Sequence, residues 1–129
     1  MKFEMEHIGL AARDTAALKE WYVATLQAEV VFQMPQDPPA FLLRVGGLLV
    51  EIYPARSQSE LTRDNGLAGW RHIALKVAAL EGAREWLAQR GVRFTEEVKP
   101  AGGGGRVLFF QDPEGNLFHL VERLPGGYQ

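Results

Sequence analysis

The chain has 129 residues, 47% of them apolar and 23% charged, with a net charge of −2 and no cysteine. That length suits one domain or two very small modules sharing a core, and the apolar content is enough to build it. The balance excludes the basic footprint of a nucleic-acid binder, and the missing cysteine excludes disulfides, thiolate ligands and cysteine nucleophiles.

The opening residues 1–6 alternate charged and apolar side chains and lack the apolar region of a signal peptide. No run approaches the roughly 18 apolar residues of a membrane span. The expectation is a cytoplasmic protein with neither nucleic acid nor membrane as partner. Residues 4–11 alternate and read as a strand. Asp14 is a helix N-cap, and Leu18, Trp21, Tyr22 and Leu26 recur at helical spacing as one apolar face. Residues 30–34, 41–45 and 48–53 are strand-like. Pro35 to Pro39 make a rigid loop, and Gly46-Gly47 signals a tight hairpin. Residues 55–69 are a polar, turn-rich linker.

The second half reads in the same way. Residues 71–77 form a strand. Ala83, Trp86 and Leu87 give a helix its buried face, Gly91 supplies its C-cap, and no good N-cap side chain precedes it. Residues 92–98, 106–111 and 117–122 are the remaining strands, with Asp112-Pro113-Glu114-Gly115 as a turn. Gly102 to Gly105 lack the Lys-Ser/Thr ending and following helix of a phosphate loop, and read as a mobile surface loop. Arg56, Arg63 and Arg71 read as solvated surface, with recognition of an anionic substrate as the alternative. Trp21 and Trp86 read as core, Trp70 as either packing or site-lining, and Phe109 and Phe110 as divided between core and site. The tail 125–129 reads as frayed.

These halves are a repeat. At an offset of 65, His7 meets His72, Ile8 meets Ile73, Leu10 meets Leu75, Glu20 meets Glu85 and Trp21 meets Trp86. After a three-residue shift, Gly47 meets Gly115, Glu51 meets His119 and Ile52 meets Leu120. Strand alternation then sorts the polar residues. Ile8 and Leu10 oppose His7; Ile73 and Leu75 oppose His72; Val50 and Ile52 oppose Glu51; Phe118 and Leu120 oppose His119. All three histidines and one glutamate thus face away from the helix-covered side. A lone strand histidine is more often structural. Three at repeat-equivalent positions, with glutamate at the fourth, point to a metal site. Three imidazoles and one carboxylate suit Zn, Ni, Co or Fe better than Mg or Ca.

With these residues in view, the chain resembles the vicinal-oxygen-chelate superfamily, which includes glyoxalase I, methylmalonyl-CoA epimerase, fosfomycin-resistance proteins, extradiol dioxygenases and bleomycin-binding proteins. The resemblance covers residues 5–122. It is most specific at 69–75, Gly-Trp-Arg-His-Ile-Ala-Leu, and at 110–116, Phe-Gln-Asp-Pro-Glu-Gly-Asn. It implies an α+β fold of two tandem βαβββ modules forming a metal-containing cup. The chain would then be one domain, 1–129, with module one at about 3–55, a linker at about 56–69 and module two at about 70–123. Family ligands on the first and fourth strands of each module fall on His7, Glu51, His72 and His119.

The implied function is that of a divalent-metal-dependent, glyoxalase-like lyase or isomerase. It would act on a small oxygen-chelating substrate through a metal-stabilised enolate, with Glu51 as a ligand that also serves as base. The alternatives are an extradiol-type dioxygenase and a non-catalytic, bleomycin-resistance-like binder. The glyoxalase I pattern is similar to His, Glu, His, Glu, and His119 departs from it. The dioxygenase carboxylate also falls where His119 stands, and bleomycin-type binders generally lack the ligand set. Glu122 has the wrong strand parity to replace His119. A homodimer is implied by the family and by exposed sheet edges.

Overall fold

A computed structural model of the chain describes residues 1–59 and 61–126 and divides it into two units, Met1–Gln58 and Ser59–Gln129. The first contains β1 (Ile8–Ala12), α1 (Thr15–Leu26), β2 (Glu29–Met34), β3 (Ala40–Val45) and β4 (Leu48–Pro54). Its sheet order is β1-β4-β3-β2, with β1 parallel to β4 and the other pairs antiparallel. The second contains β5 (His72–Lys76), α2 (Leu80–Gln89), β6 (Lys99–Pro100), β7 (Arg106–Gln111) and β8 (Leu117–Glu122), in the order β5-β8-β7-β6 with the same parallel and antiparallel pattern. This is an α+β chain of two tandem βαβββ modules.

The repeat extends to register. Ile8 pairs with Val50 and Gly9 with Glu51; Ile73 pairs with Phe118 and Ala74 with His119. The offsets of 65 and 68 read from the sequence therefore connect the same rungs of the two ladders. The three extra residues can be located. Met34 pairs with Ala40, whereas the equivalent Lys99 pairs with Val107, so that loop is two residues longer. Arg44 pairs with Leu49 and Gln111 with Leu117, so the final turn is one residue longer.

Helix α1 starts where Asp14 Oδ1 accepts the Ala17 N–H at 3.0 Å. Its buried line is Thr15, Leu18, Tyr22 and Thr25. Trp21 is half-buried rather than core, 5.4 Å edge-on from Tyr22. It lies roughly 60° round the helix from Leu18, at the margin of the stripe. Leu18 and Tyr22 share the core of this unit with Phe41, Leu43, Val50 and Ile52. Each such aliphatic side chain contributes about 1.5–3 kcal/mol on burial. The Gly46-Gly47 hairpin forms, with Val45 opposite Leu48 and Gly46 at φ +58°.

Three further expectations are corrected. The first strand begins at Ile8, not residue 4, because β4 offers only Leu48 and Leu49 before its hairpin turn. Trp86 is not core: it is 39% exposed, and the Arg90 guanidinium sits 3.2 Å from its ring centroid. The ten-residue α2 buries only Leu80 and Leu87 fully, and Trp86 falls beside that line. Residues 92–98 are not a strand. After Gly91, at φ +90°, the Val92 N–H returns to the Leu87 carbonyl, and Phe94 packs on Phe110 at 5.9 Å. Pairing is confined to Lys99 and Pro100, and Pro100 has no N–H for the ladder. Within the polar stretch 55–69, Leu61–Arg63 form a 3-10 turn, and the second unit starts at Ser59. Among the described residues no helix is long and apolar enough to cross a membrane. The tail expected to fray ends at 127–129, outside the described residues.

Candidate metal site

In the first unit, pairing of Gly9 with Glu51 puts the glutamate on the sheet face opposite α1. His7 lies just before β1 and reaches the same face. Its Nε2 is 3.8 Å from Glu51 Oε1, and its Nδ1 is 2.8 Å from Glu6 Oε1. Tyr53, two residues after Glu51, lies over Gly9. A Cβ at Gly9 would stand 3.2 Å from the Tyr53 ring, so glycine lets that ring approach β1.

The second unit repeats this with different chemistry. Ala74 pairs with His119, and His72 precedes Ala74 by two. The His72 and His119 rings are 4.5 Å apart. Phe109, directly opposite His119 on β7, meets both rings edge-on at 5.5 and 4.9 Å. Phe110 points the other way, is buried, and stacks on Phe118. The two phenylalanines thus divide as expected. His72 Nδ1 is 2.8 Å from Asn65 Oδ1.

His119 is strongly perturbed. Burial, together with the nearby His72 and the positive charge of Arg123, pushes its pKa down to about 4. It is therefore neutral near pH 7, which is the form of imidazole that binds metals. Its Nδ1 is buried and has no hydrogen-bond partner. A buried polar atom without a partner is costly, and a bound cation or water would satisfy it.

Each unit thus brings its two expected residues together: His7 with Glu51, and His72 with His119. Among the described residues, no group of three or more His, Asp or Glu side chains is gathered in a way that would hold a metal. Arg63 and Arg71 have structural partners. Arg71 donates to the Trp70 and Asp64 carbonyls, and the Arg63 side chain lies where a Cβ of Gly115 would be. Trp70 is 96% exposed, so it is not a packing residue. The Gly102–Gly105 segment closes through the Ala101 N–H on the Gly105 carbonyl, and Arg123 Nη1 donates to the Gly102 and Gly104 carbonyls. Asn65 was not anticipated. An Asn-Gly pair in a polar segment signals a turn and nothing about a histidine seven residues on.

Residues 4–120 match the family model of the glyoxalase/bleomycin resistance protein/dioxygenase superfamily. The chain belongs to this superfamily. Among solved structures of the superfamily's fold, a glyoxalase family protein from Enterococcus faecalis is 26% identical with a TM-score of 0.77, covering 92% of this chain and 97% of that one. A fosfomycin resistance protein from Listeria monocytogenes, solved with Mn(II) and 1S,2S-dihydroxypropylphosphonic acid, is 19% identical with a TM-score of 0.71, covering 96% of this chain and 93% of that one. At that identity the likeness is one of fold. A Brassica oleracea var. gemmifera protein, provisionally named a lactoylglutathione lyase, is 33% identical over 73 residues. That match spans 51% of this chain but only 26% of the Brassica protein.

Proposed function

We propose that this superfamily member is a divalent-metal-dependent lyase or isomerase of glyoxalase type, acting on a small substrate with adjacent oxygens. Residues 1–129 act as one domain of two modules. His7 and Glu51 from one module, and His72 and His119 from the other, are the metal's protein ligands. The observation that carries this reading is His119. A neutral imidazole beside a second histidine, with a buried nitrogen that has no hydrogen-bond partner among the described residues, is suited to binding a cation. The donor set of three nitrogens and one carboxylate fits Zn, Ni, Co or Fe, and the Mn(II) of the Listeria protein adds a fifth ion to screen.

Bound by these donors, a divalent cation would supply Lewis acidity to the substrate's adjacent oxygens. Glu51 is the only carboxylate of the four, so it is the group that can accept a proton from carbon next to a carbonyl. Its partly exposed carboxylate, 3.8 Å from His7, can be approached by a ligand. Phe109 gives the two histidines of its unit an apolar neighbour that limits water there.

The test is metal content. Protein dialysed against each of the five ions should retain one equivalent by elemental analysis, and His72→Ala or His119→Ala should weaken retention at least tenfold. Unchanged metal content in both variants would overturn the assignment. We also propose a homodimer. Phe3 is 86% exposed and Phe32 56%, as Trp70 nearly wholly is, and such apolar surface favours association. Light scattering that shows only monomer at high micromolar concentration would refute it.

A further inference from the structure

The three histidines differ in what their Nδ1 atoms meet. That of His119 meets nothing. Those of His7 and His72, at repeat-equivalent positions, each meet a side-chain oxygen at 2.8 Å: Glu6 Oε1 and Asn65 Oδ1. Glu6 is one residue before its histidine and Asn65 is seven before. The same contact is therefore made by unrelated positions rather than copied by the repeat.

The Asn65 contact is built. Asp64 Oδ1 accepts the Gly66 N–H at 2.9 Å, and the Leu67 N–H returns to the Asp64 carbonyl at 3.4 Å, so residues 64–67 form a turn that presents Asn65. Arg71 Nη1 donates to that same carbonyl at 3.3 Å. Two successive residues, 64 and 65, thus reach two successive residues seven positions on, and the turn is tied to the start of β5.

An oxygen acceptor at Nδ1 requires the proton to be on Nδ1. A free neutral imidazole side chain prefers it on Nε2. We propose that Asn65 and Glu6 are positioning residues that hold His72 and His7 in the Nδ1–H tautomer, leaving the Nε2 lone pair of each free for a cation. Outer partners of this kind fix ring orientation and raise ligand basicity. The consequence for metal binding rests on the function proposed above. The tautomer itself is a property of the metal-free protein.

The experiment uses the full chain labelled with ¹⁵N-histidine, metal-free and at slightly alkaline pH, where two-bond ¹⁵N–¹H correlation spectra distinguish the tautomers. The parent should show the Nδ1–H pattern for His72 and His7. Asn65→Ala should move His72 toward Nε2–H, Asn65→Asp should retain Nδ1–H, and Glu6→Ala should move His7. An unchanged backbone amide spectrum outside residues 64–72 and their neighbours reports that the fold is intact. Zinc affinity measured in parallel should fall about 10-fold in Asn65→Ala and recover in Asn65→Asp. A parent His72 in the Nε2–H form, or one unmoved by Asn65→Ala, overturns the proposal. A switched tautomer with unchanged zinc affinity supports the positioning role and instead overturns His72 as a ligand.

Discussion

Glu122 Oε2, on the last strand, accepts the backbone N–H of Leu80 at 2.8 Å, across 42 residues of chain. Ala79 stands at the N-cap of α2 and has no side chain to offer, so the strand supplies the cap instead. Arg106 joins the arrangement, with Nη2 2.9 Å from Glu122 and Nη1 2.7 Å from Glu81 in the first turn of the helix. Glu122 therefore faces the helix, on the opposite side of β8 from His119. Its parity excludes it from the candidate metal site and commits it to holding α2.

This arrangement predicts an acid-sensitive contribution to stability that one variant removes. The Leu80 amide first, and Arg106 second, hold the Glu122 carboxyl below its ordinary value, and Arg106 does the same for Glu81. The unfolded chain binds protons at the ordinary carboxylate value, above the folded one. The stabilisation is therefore fully present above that ordinary value and is lost as pH falls through the folded value. Glu122→Gln should lower the thermal midpoint near neutrality, and the gap from the parent should close as pH falls below the ordinary carboxylate range. A gap of constant size over that range would show that the charge contributes nothing.

Gly105 carries a steric prediction. It has φ +101°, and a Cβ there would stand 2.0 Å from the Glu122 carbonyl oxygen and 3.0 Å from the Arg123 Cα. Both obstacles are backbone and cannot rotate away. Gly105→Ala should cost on the order of 3 kcal/mol or more, from backbone strain and overpacking together. Gly102→Ala, with nothing within 4 Å of its Cβ, is the control and should be nearly silent. Denaturant unfolding of the two variants checks both. Equal midpoints would count against a close approach of the loop to the end of β8.

The difference between these glycines was not legible in the sequence, whereas much else was. The nearness of His7 to Glu51 and of His72 to His119 could be read because strand alternation and the repeat both constrain these positions. The observed registers reproduce the same two offsets. The Asp14 cap was legible because capping is local: its acceptor and the Ala17 amide are three residues apart. The cap from Glu122 and the acceptor from Asn65 were not legible, because each depends on where a distant segment is laid down. Trp86 misled for a related reason. Helical spacing says which residues share a side of α2, but not how wide a stripe the sheet beneath can cover. Residues 92–98 looked strand-like from composition, yet Phe94 is drawn to the Phe110 ring and Pro100 shortens the ladder.

The turn feeding β8 is held by one buried carboxylate. Asp112 Oδ1 accepts the Glu114 and Asn116 amides at 2.9 and 3.0 Å, and Oδ2 accepts Asn116 Nδ2 at 2.8 Å. Asp112→Ala leaves those donors without their acceptor and should cost about 2–4 kcal/mol. Asp112→Asn keeps an oxygen for the amides but turns an N–H toward Asn116 Nδ2, and should fall between. Because the turn sets where β8 begins, the alanine variant should also disturb the His72–His119 ring contact. Calorimetry measures the first effect and the His119 resonances the second. A variant as stable as the parent would show that solvent replaces the carboxylate at no cost.

The last prediction separates holding a metal from doing chemistry. Of the four proposed ligands, only Glu51 can release its oxygen and take a proton from carbon; His119, its pKa pushed down to about 4 by burial, is a neutral donor. Glu51→Gln keeps a carbonyl oxygen of nearly the same reach and should still retain metal, though more weakly. It should lose proton abstraction, which a positioned base accelerates by typically 10²–10⁴-fold. His119→Glu should act in the opposite sense. It recreates the His, Glu, His, Glu pattern of glyoxalase I and should bring weak activity on a hemithioacetal, at the expense of placing a second carboxylate beside Phe109. The measurement is solvent-deuterium exchange into a bound substrate, with metal content determined on the same samples. Exchange as fast in Glu51→Gln as in the parent, at equal metal content, would make Glu51 a ligand only. The base would then have to be sought among the other groups on its face of the sheet, of which the Tyr53 phenol over Gly9 is the nearest to hand.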